Sequence, residues 1–338
     1  MRYLFLLVFF LLTNIDVFSQ IKPSFFPEDI IQVHDEEDIK CYCKPGVANK
    51  SRSRGLSLSY GFNTGGGYES AGDSTFLDTP SSLDRISNVE FKIKIPLLIK
   101  ERTKILLGYQ YYSEFYEFDL VGVDYESTFQ SLDNNNLKKN SFSLILSHSL
   151  NEDNYLAIRY NYGSNGNYEG WLNFEGRNSI NKLIGLYGIK KSEHFEWGIG
   201  LIVSKSFRRT NVLPFLLYNR NFSPKWGLES VFPANIFLRY NLDPSTISSI
   251  GLEYGSQSFR LSVDDAFPLD YAFNHSELSF VWNIERHITS WIWANAKLGF
   301  QRNFSSDFES RSVNTIDFFA EPKNSLLIQV GFFISPDF

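Results

Sequence analysis

The chain has little cysteine, a single methionine and no concentration of charge of one sign. Of its 338 residues two are Cys, five are His and one is Met. The thiols and imidazoles do not follow a metal-ligand spacing, so we expect neither a metal site nor a cofactor. The formal net charge is −6 and no basic block is present, which excludes the electrostatic footprint of a nucleic-acid-binding protein.

Long apolar runs are also absent after the first segment, MRYLFLLVFFLLTNIDVFSQ. This segment has one early Arg, an apolar stretch over residues 3–12 and a polar end, and it predicts a secretory signal peptide over residues 1–19. The alternative is an uncleaved anchor, but the run is shorter than the ~20 apolar residues that a spanning helix needs. If the rest of the chain crosses a membrane, it must do so as β-strands.

Residues 20–52 lack a clear hydrophobic period, and we interpret them as a periplasmic N-terminal tail. Cys41 and Cys43 lie within this tail. In an oxidising compartment a local disulfide is the first interpretation of the C-x-C pair, and metal or redox chemistry, with His34 and Asp35 nearby, is the second.

Aromatic residues are abundant, at 17% of the chain, and from Arg54 onward apolar and polar residues alternate. In VEFKIKI, residues 89–95, apolar side chains alternate strictly with Glu90, Lys92 and Lys94. Successive side chains of a strand point to opposite faces, so such a strand has one apolar and one polar face. No helical stripe of comparable strength is present, and the fold class is predicted to be all-β.

The connections between the predicted strands are sorted by length. Short turns are predicted at 100–102, 151–153, 191–194, 223–225, 243–245 and 285–289, and long loops near 64–85, 117–138, 164–178 and 303–323. Along the chain the long loops and these short turns occupy alternate connections, so the long loops lie at one end of the strands and the short turns at the other. Outer-membrane barrels have the same arrangement. Residues 53–338 are therefore predicted to form a transmembrane antiparallel up-and-down β-barrel of about 14 strands (12–16), in the outer membrane of a Gram-negative bacterium.

The alternation assigns faces: apolar residues contact the lipid bilayer and charged residues line the lumen. The candidate lumen-facing residues are Glu90, Lys92, Lys94, Lys104, Glu114, Arg159, Glu196, Arg239, Glu253, Arg260, Glu277 and Glu285. The signs balance, which suits both a wet pore and a filled interior with paired charges. Tyrosines and tryptophans near strand ends suit an aromatic girdle: Tyr60, Tyr111, Tyr112, Tyr162, Trp171, Trp291 and Trp293.

One strand departs from a constant alternation. In SIGLEYGSQSFRLSV the apolar residues of the alternation have even numbers up to Tyr254 and odd numbers from Phe259 onward. A β-bulge shifts the facing of a strand by one residue, so a bulge is predicted near Gly255.

Two segments carry resemblances. The C-terminal NSLLIQVGFFISPDF resembles the closing strand of outer-membrane proteins, whose terminal aromatic, here Phe338, is read by the barrel insertion machinery. The segment 213–255, with its Trp-Gly-Leu strand, proline and Arg-Tyr strand, resembles an uncharacterised family of outer-membrane β-barrels of about this length. That resemblance extends from about residue 54 to the C-terminus and implies the fold and the location, but no catalytic residue. Fatty-acid channels of the outer membrane are similar in strand number only.

Two function classes remain open, and no enzyme activity is expected. The first is passive passage of small hydrophilic solutes. The second is a structural or surface-interaction barrel whose loops, such as VDYESTFQSLDNNN, meet a partner. A remote third is an outer-membrane esterase or phospholipase, because YGSNGN at 162–167 is similar to part of that family's active-site sequence. However, Tyr162 stands where that family has His. His148 lies at the periplasmic end of its predicted strand, whereas Ser164 lies at the opposite end of the next one.

The location is testable. We expect the mature protein to begin at Gln20 and to fractionate with outer membranes, because the leader is cleavable and the remaining segments are too short to span as helices. N-terminal sequencing of the fractionated protein measures this, and recovery of Met1 or of a soluble periplasmic product would contradict it.

Overall fold

The computed structural model describes residues 43, 45–64, 67–71, 81–121, 126–207, 209–263, 269–289, 291–311 and 317–335. The chain divides into two compact units, Met1–Lys40 and Cys41–Phe338, and the described residues all belong to the second. The predicted signal peptide, most of the predicted tail, Cys41 and Phe338 lie outside the described residues. The second unit begins at Cys41, so the predicted barrel boundary at residue 53 falls inside it.

Within these ranges the chain forms sixteen β-strands and one short α-helix. In chain order they are β1 Leu56–Thr64, β2 Gly67–Ala71, β3 Ser81–Ile99, β4 Thr103–Leu120, α1 Glu126–Asn134, β5 Leu137–Ser149, β6 Asn154–Gly166, β7 Ser179–Ser192, β8 Phe195–Ser206, β9 Arg209–Asn221, β10 Trp226–Phe232, β11 Asn235–Asp243, β12 Thr246–Val263, β13 Leu269–Thr289, β14 Ile292–Ser310, β15 Phe318–Pro322 and β16 Ser325–Ile334.

Fourteen of the strands close into an antiparallel barrel. β3 to β14 pair in chain order, β14 pairs with β16, and β1 pairs with β16 on one side and β3 on the other. The short strands β2 and β15 pair with each other and bridge β3 and β14 beyond the ends of β1 and β16. The predicted strand number and the closing role of the C-terminal strand are confirmed.

The barrel has two unlike rims. The turn rim carries the short connections that follow β3, β5, β7, β9, β11 and β13. The loop rim carries the connections that follow β1, β4, β6, β8, β10, β12 and β14, among them the longest. This is the sorting by parity that the sequence predicted.

The two faces of the wall also agree with the predicted alternation. On β1, Leu58 and Tyr60 are 50% and 45% exposed, whereas Ser57 and Ser59 between them are buried. Ser59 pairs with Glu90, which places the charged side of VEFKIKI in the lumen. Two aromatic residues predicted for the girdle lie inside instead. Tyr112 donates a hydrogen bond to lumen-facing Glu114 (2.6 Å), and Trp293 packs against buried Phe333.

The predicted bulge near Gly255 is wrong. β12 pairs with β13 in one continuous register from Thr246 to Val263, without a shift at Gly255. The apolar parity changes because the surroundings change: Ile250 and Leu252 face lipid, whereas Phe259 and its apolar neighbours enter a core inside the barrel. A strand keeps its pleat while its apolar face moves from lipid to protein.

This core fills part of the barrel at the loop rim. α1, in the connection between β4 and β5, inserts Phe129 and Leu132, both 0% exposed. Phe308 and Phe318 stack beside them with ring centroids 4.3 Å apart. Each large side chain buried in this way stabilises the fold by about 1.5–3 kcal/mol. No helix in the described part of the chain, α1 included, is long and apolar enough to cross a bilayer.

The face assignment is testable at adjacent residues of β3. Ile93, which pairs with Leu56 and Tyr109, faces lipid, so Ile93→Arg should destabilise the barrel by ~2–4 kcal/mol if the residue lies near the bilayer midplane. Loss of the heat-modifiable folded band in gel electrophoresis measures this. Lys92→Ala removes one partly exposed ion pair to Glu90 (2.7 Å) and should fold. Normal folding of Ile93→Arg together with failure of Lys92→Ala would reverse the faces.

Candidate functional site

The lumen contains eleven of the twelve charged residues predicted for it. They are Glu90, Lys92, Lys94, Lys104, Glu114, Arg159, Glu196, Arg239, Glu253, Glu277 and Glu285, each on the inward side of its strand. Arg260 is the correction. Because β12 has no bulge, Arg260 shares the face of Tyr254, and it forms a bidentate ion pair with Asp270 (2.8 and 2.7 Å) at the loop rim.

The turn rim is lined by residues 45–54, which we name the belt. The belt follows the inside of the rim in strand order. Its Ala48 N–H donates to the carbonyl of Glu193 beyond β7 (2.8 Å), and Asn241 of β11 donates to the carbonyl of Asn49 (3.2 Å). At its end Arg54 pairs with Glu285 of β13 (2.6 Å). Residues 45–52, which belong to the segment interpreted as a periplasmic N-terminal tail, thus form hydrogen bonds with the turn rim.

Belt amides satisfy buried carboxylates. Glu196, 1% exposed, accepts hydrogen bonds from Gly46 N–H (2.7 Å), Tyr155 Oη (2.7 Å) and Asn219 Nδ2 (2.8 Å). Glu229 accepts from Ser51 N–H (3.0 Å) and pairs with the fully buried Arg239 (2.7 Å). A buried charge is costly unless it is paired and hydrogen-bonded, so the belt and these charges stabilise each other.

Cys43 lies just before the belt as a buried free thiol. The Cys43 N–H donates to the carbonyl of Asn151 (3.1 Å), and the carbonyl of Cys43 accepts a hydrogen bond from Ser149 Oγ. Desolvation by burial raises the pKa of this thiol above its usual value, so it stays protonated and unreactive near neutral pH. Since Cys41 lies outside the described residues, the disulfide between the two remains a prediction.

The middle of the lumen contains an acidic pocket of about 380 Å³. Glu90, Glu114, Glu253 and Glu277 contribute its carboxylates. Lys297, also in the wall, pairs with Glu253 (2.7 Å), and Gln301 Nε2 donates to Glu277 (2.5 Å). The pocket ends against Tyr116, which belongs to the core at the loop rim.

A larger cavity, about 890 Å³, lies beside the core rather than below it. It exists because β10 and β11 are short. On the loop-rim side of Leu216, β9 pairs only with β8. On the loop-rim side of Glu253, β12 no longer pairs with β11 and approaches β6 instead, where Arg260 pairs with Gly166. Asn165 Nδ2 fixes this crossing by donating to the carbonyl of Ser258 (2.9 Å). A cleft between β9 and β12 therefore opens the wall, and outer-face residues such as Val212 and Phe304 line it together with lumen residues.

Positive and negative side chains cluster in different parts of the lumen, although their total numbers are nearly equal. The acidic pocket gathers carboxylates of β3, β4, β12 and β13, and a cationic wall is formed by β3, β5, β6 and β7, so the two meet on β3 at Glu90 and Lys92. Lys139 and Lys182, two members of this wall, were not predicted. The parity of Lys139 with Ser141 would have placed it inside, but Lys182 shares its parity with the apolar Ile180 and Ile184, so the sequence pattern did not assign it to the lumen.

The residues of the esterase hypothesis are not brought together. Ser164 is fully buried below the connection between β6 and β7, where Tyr168 Oη donates to its carbonyl (3.4 Å). His148 lies at the turn rim, where its Nδ1 is hydrogen-bonded to Thr103 Oγ1 (2.8 Å). Among the described residues no group of three or more His, Cys, Asp or Glu side chains could hold a metal ion.

Comparison with solved structures finds outer-membrane β-barrels. A FadL homologue of Pseudomonas aeruginosa superposes with a TM-score of 0.41 at 8% identity, over 83% of this chain and 90% of that one. An outer membrane channel of Pseudomonas putida F1 gives 0.39 at 13%, over 86% and 99%, and the protease OmpT of Escherichia coli gives 0.30 at 11%, over 85% and 99%. Values this low transfer neither substrate nor activity to this chain.

No curated protein sequence matches the chain. A sequence family does, over residues 84–335, which is most of the barrel wall from β3 to β16. The chain belongs to the family described as Domain of unknown function (DUF6268).

Proposed function

We propose that this protein lies in the outer membrane and lets small hydrophilic solutes pass through its lumen passively. The observation that carries the proposal is the 890 Å³ cavity, because hydroxyl, amide and ammonium groups line it together with apolar residues such as Ile202 and Leu213. The turn rim then faces the periplasm and the loop rim faces the exterior, the usual orientation of short turns and long loops.

Polar side chains occur along the lining of this cavity, between apolar ones. Gln110 and Asn161 line it in the middle of the lumen, and Asn165 lines it near the loop-rim end of β6. The inner faces of β8 and β9 then contribute Ser204, Ser206 and Asn211. Hydroxyl and amide groups of this kind replace the hydrogen bonds that a hydrophilic solute makes in water, so the passage favours polar cargo.

Incomplete charge pairing also supports a wet lumen. Within the described residues Lys94, Lys139 and Lys182 form no ion pair, and a dry interior would make such charges very costly. The alternative of a filled barrel that acts through its loops has less support. The segment VDYESTFQSLDNNN, which that alternative used, buries Phe129 and Leu132 of α1 in the core.

Passage through the cavity is testable with a tryptophan at adjacent positions of β8. Purified barrel in planar bilayers should give small single-channel currents, and Ser204→Trp, whose side chain would enter the cavity, should reduce them severalfold. Val203→Trp adds the same bulk on the lipid side and should conduct like the parent protein. Electrically silent bilayers that contain folded parent protein would contradict the proposal, as would equal currents from the two variants.

The belt is expected to narrow the periplasmic entrance. Replacing residues 45–52 by a Gly/Ser segment of equal length removes the contacts of Gly46, Ala48 and Ser51 and should increase single-channel conductance. Pro45→Ser, at an exposed belt position, is the control and should not change it. An unchanged conductance in the folded Gly/Ser variant would show that the belt does not limit the passage.

A further inference from the structure

The cationic wall has an ordered arrangement across five neighbouring strands. In one row of paired residues Lys94 of β3 is followed by Gly108, Ser143, Asn161 and then Lys182 of β7. The next row runs from Lys92 through Gln110, Ser141 and Gly163. Long basic side chains thus stand at the sides of these rows, and small or amide side chains lie between them.

Two further cations complete the wall. Lys139 of β5 lies one row nearer the loop rim than the row of Lys92. Arg159 of β6 lies one row nearer the turn rim than the row of Lys94. Arg159 is central, since it lies within electrostatic reach of Lys94, Lys139 and Lys182. Small residues lie between these side chains, and two of them, Ser141 and Gly163, line the 890 Å³ cavity with Lys139 and Lys182; we name this basic part of the lumen the basic hollow.

Carboxylates neutralise the basic hollow only in part, through Glu90, which lies within electrostatic reach of Lys92 and Lys139. Of its five cations only Lys92 forms an ion pair among the described residues, with Glu90 at 2.7 Å. Arg159 donates its Nε–H to the neutral Asn161 (2.8 Å). The other lumen carboxylates are engaged in the acidic pocket, where Glu114 accepts from Tyr112 and Glu253 holds Lys297. About four positive charges therefore share one partly buried surface.

We propose that the basic hollow binds small anions that carry a carboxylate or a phosphate group, and that the channel thereby selects organic anions among hydrophilic solutes. Like charges that share one part of the lumen repel one another, more strongly where water is partly excluded. An oxyanion held by two or more ammonium groups removes this repulsion and gains charge-assisted hydrogen bonds.

The surroundings fit such a ligand. Lys139 and Lys182 both line the 890 Å³ cavity, so the basic hollow opens directly onto the passage. Gln110 and Asn161 lie in the same cavity wall and can donate to or accept from hydroxyl and carbonyl groups of the ligand. The part of the proposal that concerns selectivity rests on the proposed function, whereas the part that concerns binding does not.

Binding is measured apart from conduction. Folded barrel in detergent should bind inorganic phosphate and succinate in calorimetric titration, and glucose should give no signal. The double variant Lys139→Gln/Lys182→Gln should bind about tenfold more weakly or worse, the effect of losing one or more charge-assisted hydrogen bonds. Lys104→Gln removes one positive charge at the turn rim and should bind like the parent. Glu90→Gln removes the carboxylate beside Lys92 and should tighten binding.

The outcomes separate the two proposals. A parent protein that binds neither phosphate nor succinate overturns the anion site, even if it conducts. Equal weakening by Lys104→Gln and the double variant also overturns it, because the effect would then be one of net charge. Bound anions with silent bilayers overturn the proposed channel alone. With conduction present, the reversal potential in a KCl gradient should indicate anion preference in the parent and shift toward zero in the double variant.

Discussion

The whole structure depends on the hydrogen-bonded closure of β1 between β3 and β16. A bilayer offers no partner to an unpaired backbone N–H or C=O group, and each such group costs several kcal/mol there. β1 pairs along its length with both neighbours, Leu56 with Ile334 and Ile93 at one end and Asn63 with Leu327 and Ile86 at the other. Once the ring is closed, lipid-facing positions near the middle of the bilayer must be apolar, and polar groups there are directed inward.

Closure creates a second problem, because the inward groups include many charges. The surroundings of these charges differ between the turn rim, the loop rim and the region between the two rims. At the turn rim the belt provides backbone amides to Glu196 and Glu229. At the loop rim the charges give way to the apolar core around Phe129. Between these levels an acidic pocket and a cationic wall lie side by side and meet on β3 at Glu90 and Lys92, and both border open cavities.

Much of this could be predicted from the sequence, because a period of two is sufficient to assign faces. The alternation in VEFKIKI and the sorting of turns from loops led to the barrel, the strand number and eleven of the twelve lumen charges. Arg260 shows the limit of that reasoning. Apolar parity reports what a strand packs against, and along β12 this changes from lipid to core while the pleat continues. A bulge and a change of surroundings produce the same sequence pattern.

The candidate site was less predictable, because it depends on which strands are neighbours and how far each one extends. The balanced totals of lumen charges agree with complete pairing, and only the register separates Lys139 and Lys182 from Glu253 and Glu277. The cavity beside the core likewise follows from the shortness of β10 and β11, which makes β12 lean toward β6. If β10 and β11 continued beside β9 and β12, the wall would close there, and the basic hollow would have no opening through this cleft. Strand length at one hairpin thus determines whether the charged interior is a buried cluster or the lining of a passage.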